Sequence, residues 1–119
     1  YLTGTSMGGY GTWVWAQHSP EQFAAIAPVV GGLGQGGPKD ITPHLEQWAK
    51  NLVNTPVWAF HGANDSVVPA DRSEKMIDLI RKAGNERAKL TVYPDMGHNA
   101  GARSYADPEF YAWLFEQKR

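Results

Sequence analysis

Short, continuous apolar runs along the chain alternate with longer segments in which apolar and polar residues are mixed. The runs at 24–30 and 56–60 predict buried strands, as expected in a parallel sheet that is covered on both faces. Alternation over 89–93 predicts a strand near the edge of the sheet, and residues 1–3 also have the composition of a strand. We therefore expect four strands.

The segments between and after these strands carry apolar residues at the spacing of a helix. They lie at 10–18, 43–52, 71–83 and from 107 onward. Thr42, Asp71 and Asp107 are expected to cap the helices that follow them. Because strands and helices alternate, the sequence predicts an α/β fold, a three-layer sandwich with a parallel sheet in the middle.

The composition of the chain indicates which classes of partner to expect, but it does not indicate the cellular compartment. It has 119 residues, 42% of them hydrophobic, and a net charge of −1, which is enough apolar material for the core of one domain. Lys and Arg are dispersed and no apolar run approaches the roughly 20 residues of a membrane span, so neither a nucleic-acid nor a membrane partner is expected. The absence of cysteine excludes a cysteine nucleophile and disulfides and leaves the localisation unknown.

The pentapeptide Gly4-Thr5-Ser6-Met7-Gly8 lies between the first strand and the first helix, a position typical of a nucleophile elbow. In such an elbow Ser6 adopts a strained turn, and side chains at positions 4 and 8 would collide with the neighbouring strand or helix. The Met7 backbone N–H then faces the oxygen of a tetrahedral intermediate. An ordinary glycine-rich turn before a helix could have the same sequence. Only a histidine and an acid elsewhere in the chain can distinguish a nucleophile elbow from such a turn.

A serine nucleophile needs a histidine to take its proton, and the chain has four. The helix dipole explains His18, and exposure in a first helical turn explains His44. His61 ends the buried strand and is expected to be hydrogen-bonded in the core or just beneath the site. His98 follows a strand in a loop that can present a half-exposed imidazole, so we predict it as the base.

The orienting acid is predicted to be Asp65, which follows the preceding strand. The carboxyl ends of parallel strands open on one side of a sheet, so Ser6, Asp65 and His98 are expected to converge. Their order along the chain is that of α/β-hydrolases. Asp95 is the rival acid, but in its Pro-Asp turn a local hydrogen bond is expected instead.

A metal site is the competing chemistry for the same side chains. His61, Asp65 and His98 could surround a metal with an open coordination position. Their spacing matches no standard metal motif, and the metal would leave Ser6 unexplained, so no metal is predicted.

A nucleotide site is the second alternative, because the glycines at 32, 34 and 37 satisfy G-x-G-x-x-G after a strand. The segment 38–40 follows them in place of the helix that must bind a pyrophosphate. No cofactor is predicted, and residues 31–37 are expected to border the substrate pocket together with the helix from Pro43.

The chain resembles the α/β-hydrolase superfamily, and more narrowly the group of dienelactone hydrolases, polyhydroxybutyrate-depolymerase-like esterases and prolyl-oligopeptidase catalytic domains. The resemblance rests on residues 3–11, 56–62 with Asp65 and Val68-Pro69, Tyr93-Pro94 with Gly97-His98, and 107–109 with Trp113. It spans nearly the whole chain. It implies four roles: nucleophile Ser6, orienting acid Asp65, base His98 and oxyanion donor Met7 N–H.

The resemblance also implies a missing part. Members of that fold have an N-terminal half that supplies the first four strands and a second oxyanion donor, whereas residues 1–119 are expected to hold only strands five to eight. We therefore expect residues 1–119 to be the C-terminal catalytic half of one domain, with its N-terminal half upstream of Tyr1. Loss of one oxyanion donor lowers the rate about a hundred- to a thousandfold, so the chain alone is expected to be a poor enzyme.

The expected function is hydrolysis of carboxylic esters by a serine hydrolase through an acyl-enzyme. Peptides, as in prolyl oligopeptidases, are the alternative substrates. A non-catalytic fragment or interaction module that retains the scaffold is the competing class. The sequence does not identify the acyl group.

Overall fold

The computed structural model describes residues 1–118 and contains one parallel sheet within them. Its strands are β1 (Leu2–Thr5), β2 (Ile26–Val29), β3 (Val57–Gly62) and β4 (Ala88–Tyr93). They pair in sequence order, so β1 and β4 are the two edges. The four predicted strands are confirmed, including the edge position of β4.

Helices connect the strands and follow the last one. They are α1 (Met7–His18), a short 3₁₀ turn (Pro20–Gln22), α2 (Leu45–Asn51), α3 (Asp71–Lys82), α4 (Ala100–Ala106) and α5 (Pro108–Glu116). The sequence pattern did not predict α4. Between residues 1 and 118, none of these helices has the length and apolar character needed to cross a membrane.

Alternate residues of the strands point into two separate cores. Ile26 and Val57 pack on one face of the sheet against α1, α2 and α3, with Trp13 fully buried between the layers. Trp58 and Phe60 pack on the other face against α4 and α5. The three-layer sandwich predicted from the sequence is confirmed.

The predicted helix caps are only partly present. Asp107 caps α5 by accepting a hydrogen bond from the Glu109 amide at 2.9 Å. Thr42 does not cap a helix: its hydroxyl accepts from the His44 amide at 3.3 Å, before α2 begins. Asp71 is wrong as a cap because it already lies in the first turn of α3, where Arg72 binds its carboxylate.

Candidate active site

Ser6 lies at a strained turn between β1 and α1. Its φ of 60° and ψ of −116° are unusual for a residue with a side chain. The turn is held from both sides: the Ser6 amide donates to the Val29 carbonyl at 2.9 Å, and the Ser6 carbonyl accepts from the amides of Gly9 and Tyr10. The strain predicted for the elbow is therefore present in the backbone.

The glycines around Ser6 do not all have the expected steric role. A β-carbon on Gly4 would overlap the backbone of Gly8, as predicted. A β-carbon on Gly8 itself would meet open space, so that part of the prediction is wrong. The close approach of α1 to the sheet falls one residue later, at Gly9, where a β-carbon would lie 2.5 Å from the Val29 carbonyl oxygen.

The hydroxyl of Ser6 is directed at a histidine rather than at its own helix. Ser6 occupies the N-cap position of α1, where serine commonly accepts a hydrogen bond from a helix amide, yet no such bond forms. Its Oγ instead lies 2.7 Å from Nε2 of His98, ninety-two residues along the chain.

His98 links Ser6 to Asp65 through its two ring nitrogens. Nδ1 lies 2.8 Å from Oδ2 of Asp65, and the imidazole is 29% exposed. Because an ionised carboxylate only accepts hydrogen bonds, Nδ1 carries the proton. Nε2 of neutral His98 is then the acceptor for the Ser6 hydroxyl. The structure thus brings together the serine, acid and histidine that the sequence singled out.

The carboxylate of Asp65 is buried but fully hydrogen-bonded. Its Oδ1 accepts from the amides of Val67 and Val68, both at 2.8 Å. Burial by itself raises the pKa of Asp65, but the hydrogen bonds from His98, Val68 and Val67 outweigh it and hold that pKa below its ordinary value. Asp65 is therefore ionised at neutral pH.

The rival acid, Asp95, lies apart from this chain of contacts. Its exposed carboxylate accepts from Arg103 Nη1 at 2.7 Å, and this hydrogen bond lowers its pKa. The bond joins two surface positions, so Asp95 has a partner other than His98.

The loops that carry Asp65 and His98 are joined through their backbones. The Ala63 amide donates to the Tyr93 carbonyl at 2.9 Å, and the Asn64 amide donates to the Met96 carbonyl at 3.0 Å. Because β3 and β4 are neighbouring strands, Asp65 and His98 belong to one continuous part of the sheet.

Met7 is the residue predicted to contribute an oxyanion donor. Its amide is the first of α1, and the first amides of a helix have no acceptor within that helix. The Met7 N–H is therefore positioned beside Ser6 at a helix N-terminus, where a developing negative charge is stabilised.

His61 lies directly beneath the acid. It is fully buried; Nδ1 lies 2.7 Å from Ser73 Oγ, and Nε2 lies 2.7 Å from the Val68 carbonyl oxygen and 3.3 Å from Asp65 Oδ2. Burial lowers the pKa of His61, with smaller opposing effects from Val68 and Asp65. The sequence predicted His61 to be hydrogen-bonded in the core or just beneath the site, and its burial and hydrogen bonds agree with that prediction. The partner Ser73 was not predicted, because a contact between a strand and a later helix leaves no local signal.

The other two histidines lie outside the site. His18 is the last residue of α1 and lies 3.0 Å from the hydroxyl of Ser19 through Nδ1. His44 is exposed just before α2.

A cavity of about 240 Å³ opens beside Ser6. Its walls are Ser6, Met7, Tyr10, Gly32, Gly34, Gln35, Gly37, Pro38 and Val68. None of these lining residues, all among the 118 described, has a charged side chain. The glycine-rich segment borders the cavity as predicted, whereas α2 does not.

The loop that forms the cavity wall is closed at its base. Leu33 pairs with Ile41 in an isolated bridge, and the Thr42 amide donates to the Leu33 carbonyl at 2.7 Å. Nearer the tip, Asp40 Oδ2 accepts from the Gly36 amide at 3.0 Å. These contacts within the loop give the wall of the cavity a defined conformation.

The alternative metal arrangement is not present in the part of the chain that the structure describes. Within residues 1–118, no group of three or more His, Cys, Asp or Glu side chains is placed to bind a metal ion. Asp65 Oδ2 lies between His61 and His98 as a hydrogen-bond acceptor.

A parallel sheet between two helical layers, with a serine at a strained strand-to-helix turn facing a histidine and an acid from later loops, defines an α/β-hydrolase. Residues 1–110 match the dienelactone hydrolase family, and the chain belongs to that family.

Comparisons with individual proteins agree with this assignment. A Salmonella typhimurium protein named "Putative carboxymethylenebutenolidase" is 37% identical over 100 residues, which cover 82% of this chain and 35% of that protein. The crystal structure of a thermostable esterase matches 98% of this chain and 30% of its own, with 32% identity and a TM-score of 0.83. An acylaminoacyl peptidase from Pyrococcus horikoshii has a TM-score of 0.77 at 18% identity over 99% of this chain and 24% of its own, and so shares the fold.

Proposed function

We propose that Ser6, His98 and Asp65 are the nucleophile, base and orienting acid of a hydrolase that cleaves carboxylic esters through an acyl-enzyme. The observation that carries this proposal is the unbroken series of hydrogen bonds from Ser6 Oγ through both nitrogens of His98 to Asp65 Oδ2. Serine hydroxyl is a weak nucleophile, and such a series is what activates it.

The proposed reaction has two halves that use the same groups. Ser6 Oγ attacks the ester carbonyl carbon while its proton passes to Nε2 of His98, and Asp65 stabilises the imidazolium that forms. The imidazolium then protonates the leaving alkoxide as the carbon–oxygen bond breaks. Water, deprotonated by His98, attacks the acyl-enzyme. The imidazolium returns this proton to Ser6 Oγ as the bond between that oxygen and the acyl carbon breaks, which releases the acid and free Ser6.

In our proposal the oxyanion needs two hydrogen-bond donors, and residues 1–119 provide one of them. The Met7 N–H is one donor, and we assign the second to an N-terminal half of the fold upstream of Tyr1. Two observations support that assignment: β1 has β2 as its one neighbour within residues 1–118, and the chain spans 35% of the carboxymethylenebutenolidase-like relative. The full-length protein is therefore expected to hydrolyse esters about a hundredfold or more faster than residues 1–119 alone.

Esters are favoured over peptides by the relatives with the higher identity. One is named an esterase, and the name of the other denotes hydrolysis of a butenolide, which is a cyclic ester. The peptidase shares the fold alone, at 18% identity. The uncharged walls of the cavity beside Ser6 fit a neutral acyl or alcohol group.

Trapping of the acyl-enzyme tests the proposal. A fluorophosphonate probe should label Ser6 of the full-length protein, and p-nitrophenyl acetate should give a burst of p-nitrophenol. Ser6→Ala should abolish the label, the burst and turnover while the unfolding transition is retained. A burst that persists in Ser6→Ala would contradict the assignment, and a folded full-length protein that takes no label would favour the non-catalytic module.

A further inference from the structure

The buried His61 has both ring nitrogens engaged, although the proposed reaction does not use it. It lies in β3, four residues before Asp65, and its side chain is closed to solvent. Nδ1 faces the hydroxyl of Ser73 on α3, and Nε2 faces the Val68 carbonyl and Asp65 Oδ2. Two contacts of 2.7 Å around one buried imidazole define its orientation completely.

The surroundings of Nε2 fix where the proton of His61 lies. Both oxygens that it faces are acceptors, since a carbonyl cannot donate and Asp65 is ionised. Nε2 therefore carries hydrogen. Burial lowers the pKa of His61, so the ring is neutral and its Nδ1 accepts a hydrogen bond from the Ser73 hydroxyl.

This Nε2–H is directed at the Val68 carbonyl at 2.7 Å and also faces Asp65 Oδ2, at the longer distance of 3.3 Å. Asp65 Oδ1 is held by two backbone amides, whereas Oδ2 is approached by His98 Nδ1 at 2.8 Å and by His61 Nε2 at 3.3 Å. The Val68 residue is bound at both of its backbone groups: its N–H by Asp65 and its carbonyl by His61. These two hydrogen bonds hold the turn at residues 65–68, which orients the Asp65 carboxylate.

We infer that His61 is a positioning residue, whose Nε2–H holds the Val68 carbonyl and Asp65 Oδ2 and so keeps the acid in line with His98. The inference rests on the proposed function, because its kinetic effect passes through Asp65. His61 does not touch the substrate and transfers no proton. Displacement of a catalytic group by about 1 Å lowers the rate roughly a hundredfold, which sets the scale of the expected effect.

Two amide variants separate this role from simple packing. His61→Gln places an amide nitrogen near the former Nε2 and keeps a donor toward Val68 and Asp65. His61→Asn is shorter, so its amide reaches only the region of Nδ1 and Ser73. In the full-length protein with p-nitrophenyl acetate, His61→Asn should lower kcat about ten- to a hundredfold at unchanged KM. His61→Gln should recover most of that loss.

Equal losses of kcat in the two variants would overturn the inference. They would mean that the position of the amide nitrogen does not matter and that His61 acts only through packing. Wild-type kcat in His61→Asn would overturn it as well. If the variants do not fold, nitrogen-15 NMR of the wild-type protein decides: neutral His61 should carry its proton on Nε2, and a proton on Nδ1 would contradict the inference. This NMR result does not depend on turnover, so absence of esterase activity would count against the proposed function alone.

Discussion

The backbones of Gly62 and Gly97 approach so closely that a β-carbon at position 62 would overlap the Gly97 carbonyl oxygen. Gly62 precedes the loop of Asp65, and Gly97 precedes His98. This close backbone approach joins the loop of Asp65 to the loop of His98 and leaves no room for a side chain at position 62.

Gly62→Ala is expected to force these loops apart and to lower kcat at least about tenfold, with a loss of about 1–3 kcal/mol in unfolding free energy. Steady-state kinetics and denaturant unfolding check both effects. Gly11→Ala is the matched control: a β-carbon there meets open space, and alanine suits α1 better than glycine by about 1 kcal/mol. Full activity in Gly62→Ala would show that the contact does not set the geometry.

Asp65→Asn should lower kcat by up to about ten-thousandfold with little change in KM, because an amide in place of the carboxylate no longer fixes the Nδ1–H form of His98 or stabilises its imidazolium. Asp95→Asn is the control, since that carboxylate lies on the surface and binds Arg103. Initial-rate kinetics on both variants decide the assignment. If Asp95→Asn were the damaging change, the orienting acid would be misassigned.

Gly32→Val should narrow the cavity beside Ser6. A β-carbon at Gly32 would lie 3.5 Å from the Pro38 carbonyl oxygen and 4.0 Å from Val68, both cavity walls, so it fits without overlap. We expect kcat/KM for p-nitrophenyl hexanoate to fall about tenfold or more relative to the acetate, in the range that hydrophobic pockets discriminate. An unchanged ratio of the two esters would place the acyl group elsewhere.

Ser73→Ala should reduce the unfolding free energy by about 1–3 kcal/mol, because it leaves Nδ1 of buried His61 without a partner. Ser104→Ala is the comparison: Ser104 is also fully buried on a helix, but its hydroxyl bonds the Ala100 carbonyl of its own helix. We expect a clearly smaller loss there, measured by denaturant unfolding. Equal losses would mean that the Ser73 hydroxyl acts only through packing.

Stability should decline as the pH falls below the ordinary histidine pKa of 6.5, because burial lowers the pKa of His61 in the folded state. Below that pH the unfolded chain binds a proton at His61 that the folded chain does not bind. The unfolding free energy therefore rises with pH up to about 6.5 and levels off above it. The charged or titratable groups near His61 are Asp65 and His98. His61→Gln should flatten this slope in unfolding experiments between about pH 5 and pH 7; an unchanged slope would assign it to other groups.

The sequence predicted the strands because each is a compact apolar or alternating run, and it predicted where the chemistry-bearing residues converge because parallel strands end on one side of a sheet. It did not predict α4, which packs through small residues such as Ala100, Gly101 and Ser104 and has no apolar stripe. The steric role that the sequence assigned to Gly8 belongs to Gly9. Neighbouring residues of α1 point in different directions, and Gly9 is the one that faces the sheet. The pairing of His61 with Ser73 links a strand to a helix, and no local spacing encodes it.

The loop that forms the wall of the cavity is closed at its base by the Leu33–Ile41 bridge, and Arg72 of α3 donates from Nη2 to the Lys39 carbonyl at 2.9 Å. Residues 35–38 extend beyond that closed base and are not part of any strand or helix. Ser6, Asp65 and His98 follow the ends of β1, β3 and β4, so none of them lies in this segment. A change of length in this segment would therefore alter a wall of the cavity and leave in place the three residues that we propose as the reacting groups.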